Sequence, residues 1–114
     1  MIKRIASQWD ENALAYSELI GGKGTPHHRE ILNPCVEELM GNVEGLYVLD
    51  AGCGEGYLSR YYARKGARVT GIDISSRLIE LSKKRTDENL NVSYSTDSIC
   101  SMKTVKTAFY DKVL

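Results

Sequence analysis

The 114-residue sequence has no net charge and no long apolar run, and both absences exclude classes of protein. Fifteen Lys and Arg residues balance fifteen Asp and Glu residues. This balance argues against nonspecific nucleic-acid binding, which needs clustered positive charge. No apolar run approaches the roughly 20 residues of a membrane-spanning helix. The basic N-terminus lacks the apolar segment of a secretory signal. We therefore expect a cytoplasmic protein without membrane contacts.

Cysteine is also scarce, and its spacing excludes two kinds of site. The chain has Cys35, Cys53 and Cys100, and no two of them form a Cys-x-x-Cys pair. A zinc knuckle or a thioredoxin-like site therefore has no support. We expect three reduced thiols, because a chain with this much apolar material does not need a disulfide framework. His27 and His28 have no carboxylate or cysteine at ligand spacing, so we expect no metal site.

Residues 1–45 read as an N-terminal helical segment. We expect a first helix over residues 7–20, with Ser7 and Asp10 forming a start that is similar to a capping box. A second helix should begin at Thr25 and end before Gly41, with Pro34 kinking or splitting it. The apolar face predicted for this second helix consists of Ile31, Leu32, Cys35, Val36, Leu39 and Met40.

Residues 46–114 alternate the patterns of strands and helices. Strands are predicted near residues 46–49, 67–72, 90–96 and 109–114, and helices near residues 57–65 and 76–86. The helix at 57–65 should turn Leu58, Tyr61 and Tyr62 inward. This alternation predicts an α/β domain with a parallel sheet, right-handed crossovers and helices on both faces. In such sheets, ligands bind beyond the carboxyl ends of the strands.

The most informative segment is residues 48–56, Val-Leu-Asp-Ala-Gly-Cys-Gly-Glu-Gly. A buried strand runs into Gly-x-Gly-x-Gly and then into a helix. Glycine is required where the backbone turns with positive φ or where a ligand approaches without meeting a Cβ atom. Asp73 follows at the end of the next strand, where a carboxylate can accept both hydroxyls of a ribose. The pattern therefore predicts a nucleotide site.

The spacing of the glycines argues against a dinucleotide. The G-x-G-x-x-G fingerprint fails in both registers, because Tyr57 or Ser59 occupies the third glycine position. A P-loop Gly-Lys-Ser/Thr is absent. Asp50 lies just before the glycines and would repel a pyrophosphate, whereas it suits a ligand with a cationic ammonium group. An NAD-dependent oxidoreductase is therefore disfavoured.

Residues 48–56 resemble the glycine-rich first motif of class I S-adenosylmethionine (SAM)-dependent methyltransferases. Residues 71–75, Gly-Ile-Asp-Ile-Ser, resemble the second motif with its ribose-binding acid. Asp97 and Ser98 lie where that family reads the adenine edge, and residues 109–114 resemble its fourth strand. The resemblance covers residues 46–114. It implies a Rossmann-like, doubly wound parallel sheet, here partial, with strand order 3-2-1-4, preceded by N-terminal helices.

The resemblance also implies ten cofactor-binding residues, which are Asp50, Ala51, Gly52, Cys53, Gly54, Gly56, Asp73, Ile74, Asp97 and Ser98. The three glycines would let the backbone pass beneath the methionine part and the ribose, and Asp50 with residues 51–53 would lie near the amino-acid end. Asp73 would hold the ribose hydroxyls, and Ile74 would pack on the adenine face. Cys53 is expected to be a small turn residue and not a nucleophile.

The chemistry implied by the resemblance asks little of these residues. SAM carries the reactive methyl group, and the protein aligns the acceptor with it. No residue stands out as a base. We expect a SAM-dependent methyltransferase acting on a small molecule. A non-catalytic SAM- or nucleotide-binding module and an interaction domain without a cofactor are the alternatives. Tyr16 and Arg29 could fold over the cofactor, as N-terminal helices do in that family, or have packing roles.

The family's sheet has seven strands, and the sequence predicts four. We therefore expect this chain to be a truncated part of a longer methyltransferase. The fourth strand would be an unpaired edge, which invites pairing with another chain. If the chain folds alone, a dimer through this edge or through the exposed sheet face is expected.

Overall fold

The computed structural model describes residues 2–20, 33–99, 101, 103 and 109–114. Within these residues, four helices and four strands follow each other in the predicted order of types, with two helices before the first strand. In chain order they are α1 (Ile2–Ile20), α2 (Asn33–Met40), β1 (Tyr47–Ala51), α3 (Tyr57–Arg64), β2 (Arg68–Asp73), α4 (Ser76–Arg85), β3 (Val92–Thr96) and β4 (Lys112–Val113). None of the described helices is long and apolar enough to cross a membrane.

The strands form one parallel sheet in the order β3-β2-β1-β4, which confirms the predicted order. Asp50 of β1 is in register with Gly71 of β2, and Asp73 of β2 is in register with Thr96 of β3. The carboxyl ends of these three strands therefore meet at one edge of the sheet. This is the edge at which open α/β sheets bind their ligands.

Apolar side chains cover the sheet on both faces. The main core cluster lies between the sheet, α3 and the end of α2, and consists of Met40, Val43, Val48, Tyr62, Ala63, Ala67 and Val69. A smaller cluster joins Cys53, Ile79 and Tyr94 on the side of α4. Burial of these side chains on both faces explains why β1 reads as a continuous apolar run.

Helix α1 begins five residues earlier than predicted, at Ile2. Ser7 is exposed inside the helix and does not start it. The preceding Lys-Arg-Ile-Ala residues are tolerated or favoured in helices, and Ser-x-x-Asp lacks the longer Glu or Gln that completes a capping box. Asp10 instead accepts hydrogen bonds from the start of α4.

Helix α2 begins at Asn33, with Pro34 in its first turn, where the missing N–H needs no partner. The predicted start at Thr25 and the region of the predicted kink lie outside the described residues. Two members of the predicted apolar face are exposed, namely Cys35 and Leu39, the latter by 82%. An eight-residue helix buries only the side that meets the core, here through Met40.

Helix α3 contradicts the prediction that Tyr61 turns inward. Tyr61 is exposed, and its hydroxyl donates to Glu37 of α2 at 2.7 Å. Tyr62 is buried as predicted. The helix also buries Ser59 and Arg60, because both find polar partners inside the protein, which removes most of the cost of burying a polar group.

Strand β4 is shorter than the predicted strand over residues 109–114. Only Lys112 and Val113 pair as a strand, against Val48 and Leu49. Just before them, the Asp111 carboxylate accepts the Tyr47 N–H at 2.8 Å. The Asp111 N–H in turn donates to the Tyr47 carbonyl at 2.8 Å, so the Asp111 side chain takes the place of a backbone acceptor at the start of the pairing.

Candidate cofactor-binding site

The glycine-rich turn between β1 and α3 is anchored on the end of β2. The N–H groups of Gly52 and Cys53 both donate to the Ile72 carbonyl, at 2.8 and 2.9 Å. Gly52, Gly54 and Gly56 have φ angles of +75°, +59° and +89°. Side chains rarely tolerate this backbone conformation. The three glycines are therefore needed to reverse the chain within five residues.

The Asp73 carboxylate points at this turn. Its Oδ2 accepts the Gly54 N–H at 2.9 Å, and its Oδ1 accepts the Ser75 N–H at 3.0 Å. Each carboxylate oxygen can accept a second hydrogen bond. The half-buried Asp73 side chain is thus held by two backbone groups and keeps acceptor capacity for hydroxyls of a ligand.

A cavity of about 280 Å³ lies beside the glycine turn and Asp73. It is lined by Trp9, Tyr16, Gly52, Gly54, Asp73, Ile74, Leu78, Asp97 and Ile99. Five of these residues are among the ten predicted from the sequence. A Cβ atom placed on Gly52 would meet nothing within 4 Å. The backbone at this end of the turn is therefore accessible to a ligand.

The other five predicted residues, Asp50, Ala51, Cys53, Gly56 and Ser98, do not line this cavity. The space at Gly56 is filled by the protein, because a Cβ atom there would lie 2.6 Å from the Tyr94 hydroxyl oxygen. Cys53 is buried against Ile79 and Tyr94. Burial, followed by the charges of the nearby aspartates, raises the pKa of the Cys53 thiol. The thiol therefore stays protonated, which does not suit a nucleophile.

Asp50 lies behind the turn, with 4% of its surface exposed. Burial raises the pKa of Asp50 to about 6, a hydrogen bond from the Ser59 hydroxyl at 2.6 Å opposes this rise, and the Asp73 charge adds to it. A cationic group bound near the turn would stabilise the charged form of Asp50.

Asp97 closes the cavity beyond β3. Its N–H donates to the Asp73 carbonyl at 2.9 Å, and its own Oδ1 accepts the Ser98 N–H at 2.7 Å. Asp97 is 9% exposed and lines the cavity. The structure therefore places a second carboxylate beside the one on β2, at the sheet edge where the sequence predicted both.

Helix α1 covers the cavity with two aromatic residues. The rings of Trp9 and Tyr16 meet edge to face, with centroids 5.3 Å apart. A Cβ atom on Gly54 would meet the Tyr16 ring at 3.5 Å. Burial and the charges of Asp73 and Glu55 raise the pKa of Tyr16, so its hydroxyl remains a donor at neutral pH.

Trp9 and Tyr16 are seven residues apart and therefore share one face of α1, but Trp9 was not assigned to the site from the sequence. Their spacing of two helical turns was the available signal. Arg29, His27 and His28 lie outside the described residues. In the part of the chain that the structure describes, no three His, Cys, Asp or Glu residues are grouped so that they could hold a metal ion.

Sequence reasoning missed Glu55, which fixes the glycine turn from inside. Its Oε2 accepts from Arg60 at 2.8 Å and from Arg85 at 3.1 Å, and the residue is 1% exposed. Arg60 also donates to the Glu55 carbonyl at 2.7 Å. A buried carboxylate needs such partners. These contacts join the turn to α3 and α4. No local sequence pattern predicts them, because the two arginines are 5 and 30 residues away along the chain.

Comparison with known proteins agrees with this geometry. The family described as "Methyltransferase domain" matches residues 48–114. The chain belongs to this family. The predicted resemblance to class I SAM-dependent methyltransferases is thereby confirmed for family and fold.

Two curated relatives of this methyltransferase-family chain are ubiquinone biosynthesis O-methyltransferases. The protein from Actinobacillus pleuropneumoniae is 36% identical over 102 residues, which cover 85% of this chain and 39% of that protein. The protein from Coxiella burnetii is 39% identical over 83 residues, covering 68% of this chain and 34% of that protein. The chain thus spans less than half the length of these relatives.

A solved structure matches almost the whole chain. The magnesium protoporphyrin IX methyltransferase from Synechocystis PCC 6803, crystallised with SAM, superposes with a TM-score of 0.77 and 26% identity. The match covers 98% of this chain and 59% of that protein. The similarity therefore extends beyond the family match at residues 48–114 into the N-terminal helices of this methyltransferase-family chain.

Proposed function

We propose that this chain is the cofactor-binding part of a SAM-dependent methyltransferase that acts on a small molecule. The observation that carries the proposal is the Asp73 carboxylate, bonded to the Gly54 N–H at 2.9 Å beside a cavity that the open Gly52 turn also lines. Residues 46–114 form the SAM-binding domain, and residues 1–45 form an N-terminal segment whose helix α1 completes the cavity.

The residues present fit the adenosyl part of SAM. The remaining acceptor capacity of Asp73 suits the two ribose hydroxyls. Ile74, Leu78 and Ile99 offer apolar surface to the adenine, and Asp97 lies where an exocyclic amino group can donate to it. The reading of the ring edge by the Ser98 N–H stays a prediction, because in the structure this N–H donates to Asp97 Oδ1 at 2.7 Å.

Of the remaining predicted residues, Gly52 and Gly54 line the cavity and the others lie behind it. Gly54 brings the backbone close to the ligand, whereas Gly56 allows Tyr94 to pack beneath the turn. Ala51 and Cys53 shape the turn at the amino-acid end. The carboxylates of Asp50 and Asp73 give the site a negative potential, which favours a ligand carrying sulfonium and ammonium charges.

SAM supplies an activated methyl group when bound. The chain's own contribution is to bind and orient: Asp73 fixes the sugar, and Tyr16 bounds the cavity beside the glycine turn. Alignment of this kind is the main demand of methyl transfer. None of the residues that line the cavity is assigned as a base.

A small, uncharged or cationic acceptor suits this site better than a nucleic acid. Among the described residues that line the cavity, none is basic, whereas phosphate contacts need Lys or Arg. The relatives from Actinobacillus pleuropneumoniae and Coxiella burnetii are named for ubiquinone biosynthesis, which also involves small molecules. A cytoplasmic location is part of the proposal.

The proposal is tested by calorimetry of the 114-residue chain with S-adenosylhomocysteine (SAH), SAM and NADH. We expect SAH and SAM to bind and NADH not to bind. Absence of SAH binding by the folded chain, or tight NADH binding, would overturn the proposal.

A non-catalytic SAM-binding module is the second candidate. Coverage of only 39% of a relative's length favours it for the chain taken alone. SAH binding without methyl transfer to any acceptor would support this candidate, and measurable transfer by the chain would exclude it.

We also propose that this chain, when it folds by itself, dimerises through the outer edge of β4. In the described part of the sheet, β4 has a neighbour on one side only, and Val113 is 61% exposed. Unpaired strand edges recruit further strands. Sedimentation should show a dimer at micromolar concentration, and a monomer there would contradict this assembly.

A further inference from the structure

A chain of hydrogen bonds runs from α1 to the proposed ribose-binding carboxylate. It begins at Asp10, which is half-buried in α1 and faces the start of α4. Its Oδ1 accepts the Ser75 hydroxyl at 2.5 Å and the Arg77 N–H at 3.3 Å. A carboxylate at the N-terminus of a helix is favourable, so this contact anchors α1 on α4.

Ser75 transmits this contact, because it is fully buried and each of its polar groups is engaged. Its hydroxyl donates to Asp10, and the same oxygen accepts the Leu78 N–H at 3.2 Å. Its backbone N–H donates to Asp73 Oδ1 at 3.0 Å. One residue therefore fixes the positions of Asp10 and Asp73 relative to each other.

The second oxygen of Asp73 extends the chain to the glycine turn through the Gly54 N–H. Trp9, the neighbour of Asp10, lines the same cavity. The contact that holds α1 in place thus also reaches the carboxylate and the turn that bind the ligand in the proposed function.

We propose that Asp10 is a positioning residue for the cofactor site. Acting through Ser75, it holds the Asp73 carboxylate in the orientation that receives the ribose hydroxyls. When Asp10 is removed, the buried Ser75 hydroxyl needs another acceptor. The Asp73 carboxylate, which already accepts the Ser75 N–H, then competes for the proton of the Ser75 hydroxyl. Asp73 thereby loses acceptor capacity for the ribose hydroxyls. This role rests on the proposed function.

The test compares two ligands, SAH and its 2′-deoxy analogue, in three variants. Asp10→Ala removes the acceptor, Asp10→Asn keeps one acceptor oxygen, and Glu11→Ala removes the same charge from the exposed neighbouring position. We expect the wild type and Glu11→Ala to prefer SAH by about tenfold. Asp10→Ala should reduce this preference to about threefold or less, with Asp10→Asn in between.

The preference for SAH over its 2′-deoxy analogue shows whether Asp10 positions Asp73 or only stabilises the fold. A merely structural role would weaken both ligands equally, so an unchanged preference in Asp10→Ala overturns the proposal even if both bind less tightly. If Asp10→Ala does not fold, the preference measured in Asp10→Asn decides in the same way. Failure of the wild type to bind SAH would instead overturn the proposed function.

A second readout needs no ligand. The amides of Gly54 and Ser75 both donate to Asp73, so their backbone resonances report on the carboxylate. Both resonances should shift in Asp10→Ala and neither should shift in Glu11→Ala. A Gly54 resonance that is unchanged in Asp10→Ala would refute the positioning role whatever the chain binds.

Discussion

Replacing Asp73 by alanine tests the site most directly. The substitution removes both carboxylate oxygens, of which Oδ2 faces the glycine turn and Oδ1 faces Ser75, and leaves the N–H groups of Gly54 and Ser75 without their partner. In the proposed complex it also removes the acceptor of the ribose hydroxyls. The loss of one partner of a buried hydrogen-bonded pair costs about 1–3 kcal/mol. SAH binding should therefore weaken about 5- to 150-fold.

The assay is calorimetric titration of SAH, with circular dichroism and a thermal melt to verify that Asp73→Ala is folded. Glu88→Ala is the matched control, because it removes the same charge from an exposed position outside the cavity. Asp73→Asn, which keeps one acceptor oxygen, should fall between the wild type and Asp73→Ala. Equal dissociation constants for Asp73→Ala and Glu88→Ala would refute the assignment of the ribose to Asp73.

Three further predictions follow from the turn and its surroundings. Gly54→Val should abolish SAH binding in titrations, because φ is +59° and the Tyr16 ring leaves only contact distance for a Cβ atom. Gly56→Ala should lower the melting temperature, because the added Cβ atom would lie 2.6 Å from the Tyr94 hydroxyl. Asp50→Asn should flatten the pH dependence of unfolding in urea. The folded-state pKa of Asp50, raised to about 6, makes the folded protein bind more protons than the unfolded chain. Between about pH 4 and 6, Asp50 should therefore lower the free energy of unfolding of the wild type by on the order of 2–3 kcal/mol relative to Asp50→Asn.

Each of these variants has a control or an excluding result. Gly45→Val and Gly41→Ala impose a similar positive-φ strain at positions where a Cβ atom meets nothing within 4 Å. Gly45→Val should still bind SAH, and Gly41→Ala should cost less stability than Gly56→Ala. If Gly54→Val and Gly45→Val lost SAH binding equally, backbone strain alone would explain the loss. The same would hold if Gly56→Ala and Gly41→Ala lost equal stability. An identical pH profile for the wild type and Asp50→Asn would exclude the raised pKa.

The local pattern was enough to predict the sheet and half of the site. Short-range rules on strands and turns account for the apolar run before Asp50 and for the glycines after it. The same rules place Asp73 at the end of the next strand. Parallel strands place their carboxyl ends together, so the proximity of Asp73 to the glycine turn was predictable. The bond from Gly54 to Asp73 at 2.9 Å agrees with that expectation.

The rest depended on contacts between distant segments. The glycine spacing alone could not show that Gly56 makes room for Tyr94, a residue of β3, whereas Gly52 opens to the cavity. Tyr61 was misplaced because its exposure depends on Glu37 of α2. Asp10 resembled part of a helix cap, yet its partners are on α4.

The sequence by itself determined the alternation of strands and helices, the glycine turn and the acid that follows it, because these depend on backbone conformation and on apolar patterns within about ten residues. The tertiary structure decided which predicted residues line the cavity and which lie behind it. It also placed α1 across the opening and brought Glu55 to two arginines from separate helices. Such choices depend on how side chains far apart in the chain fill one interior and find partners for its buried polar groups.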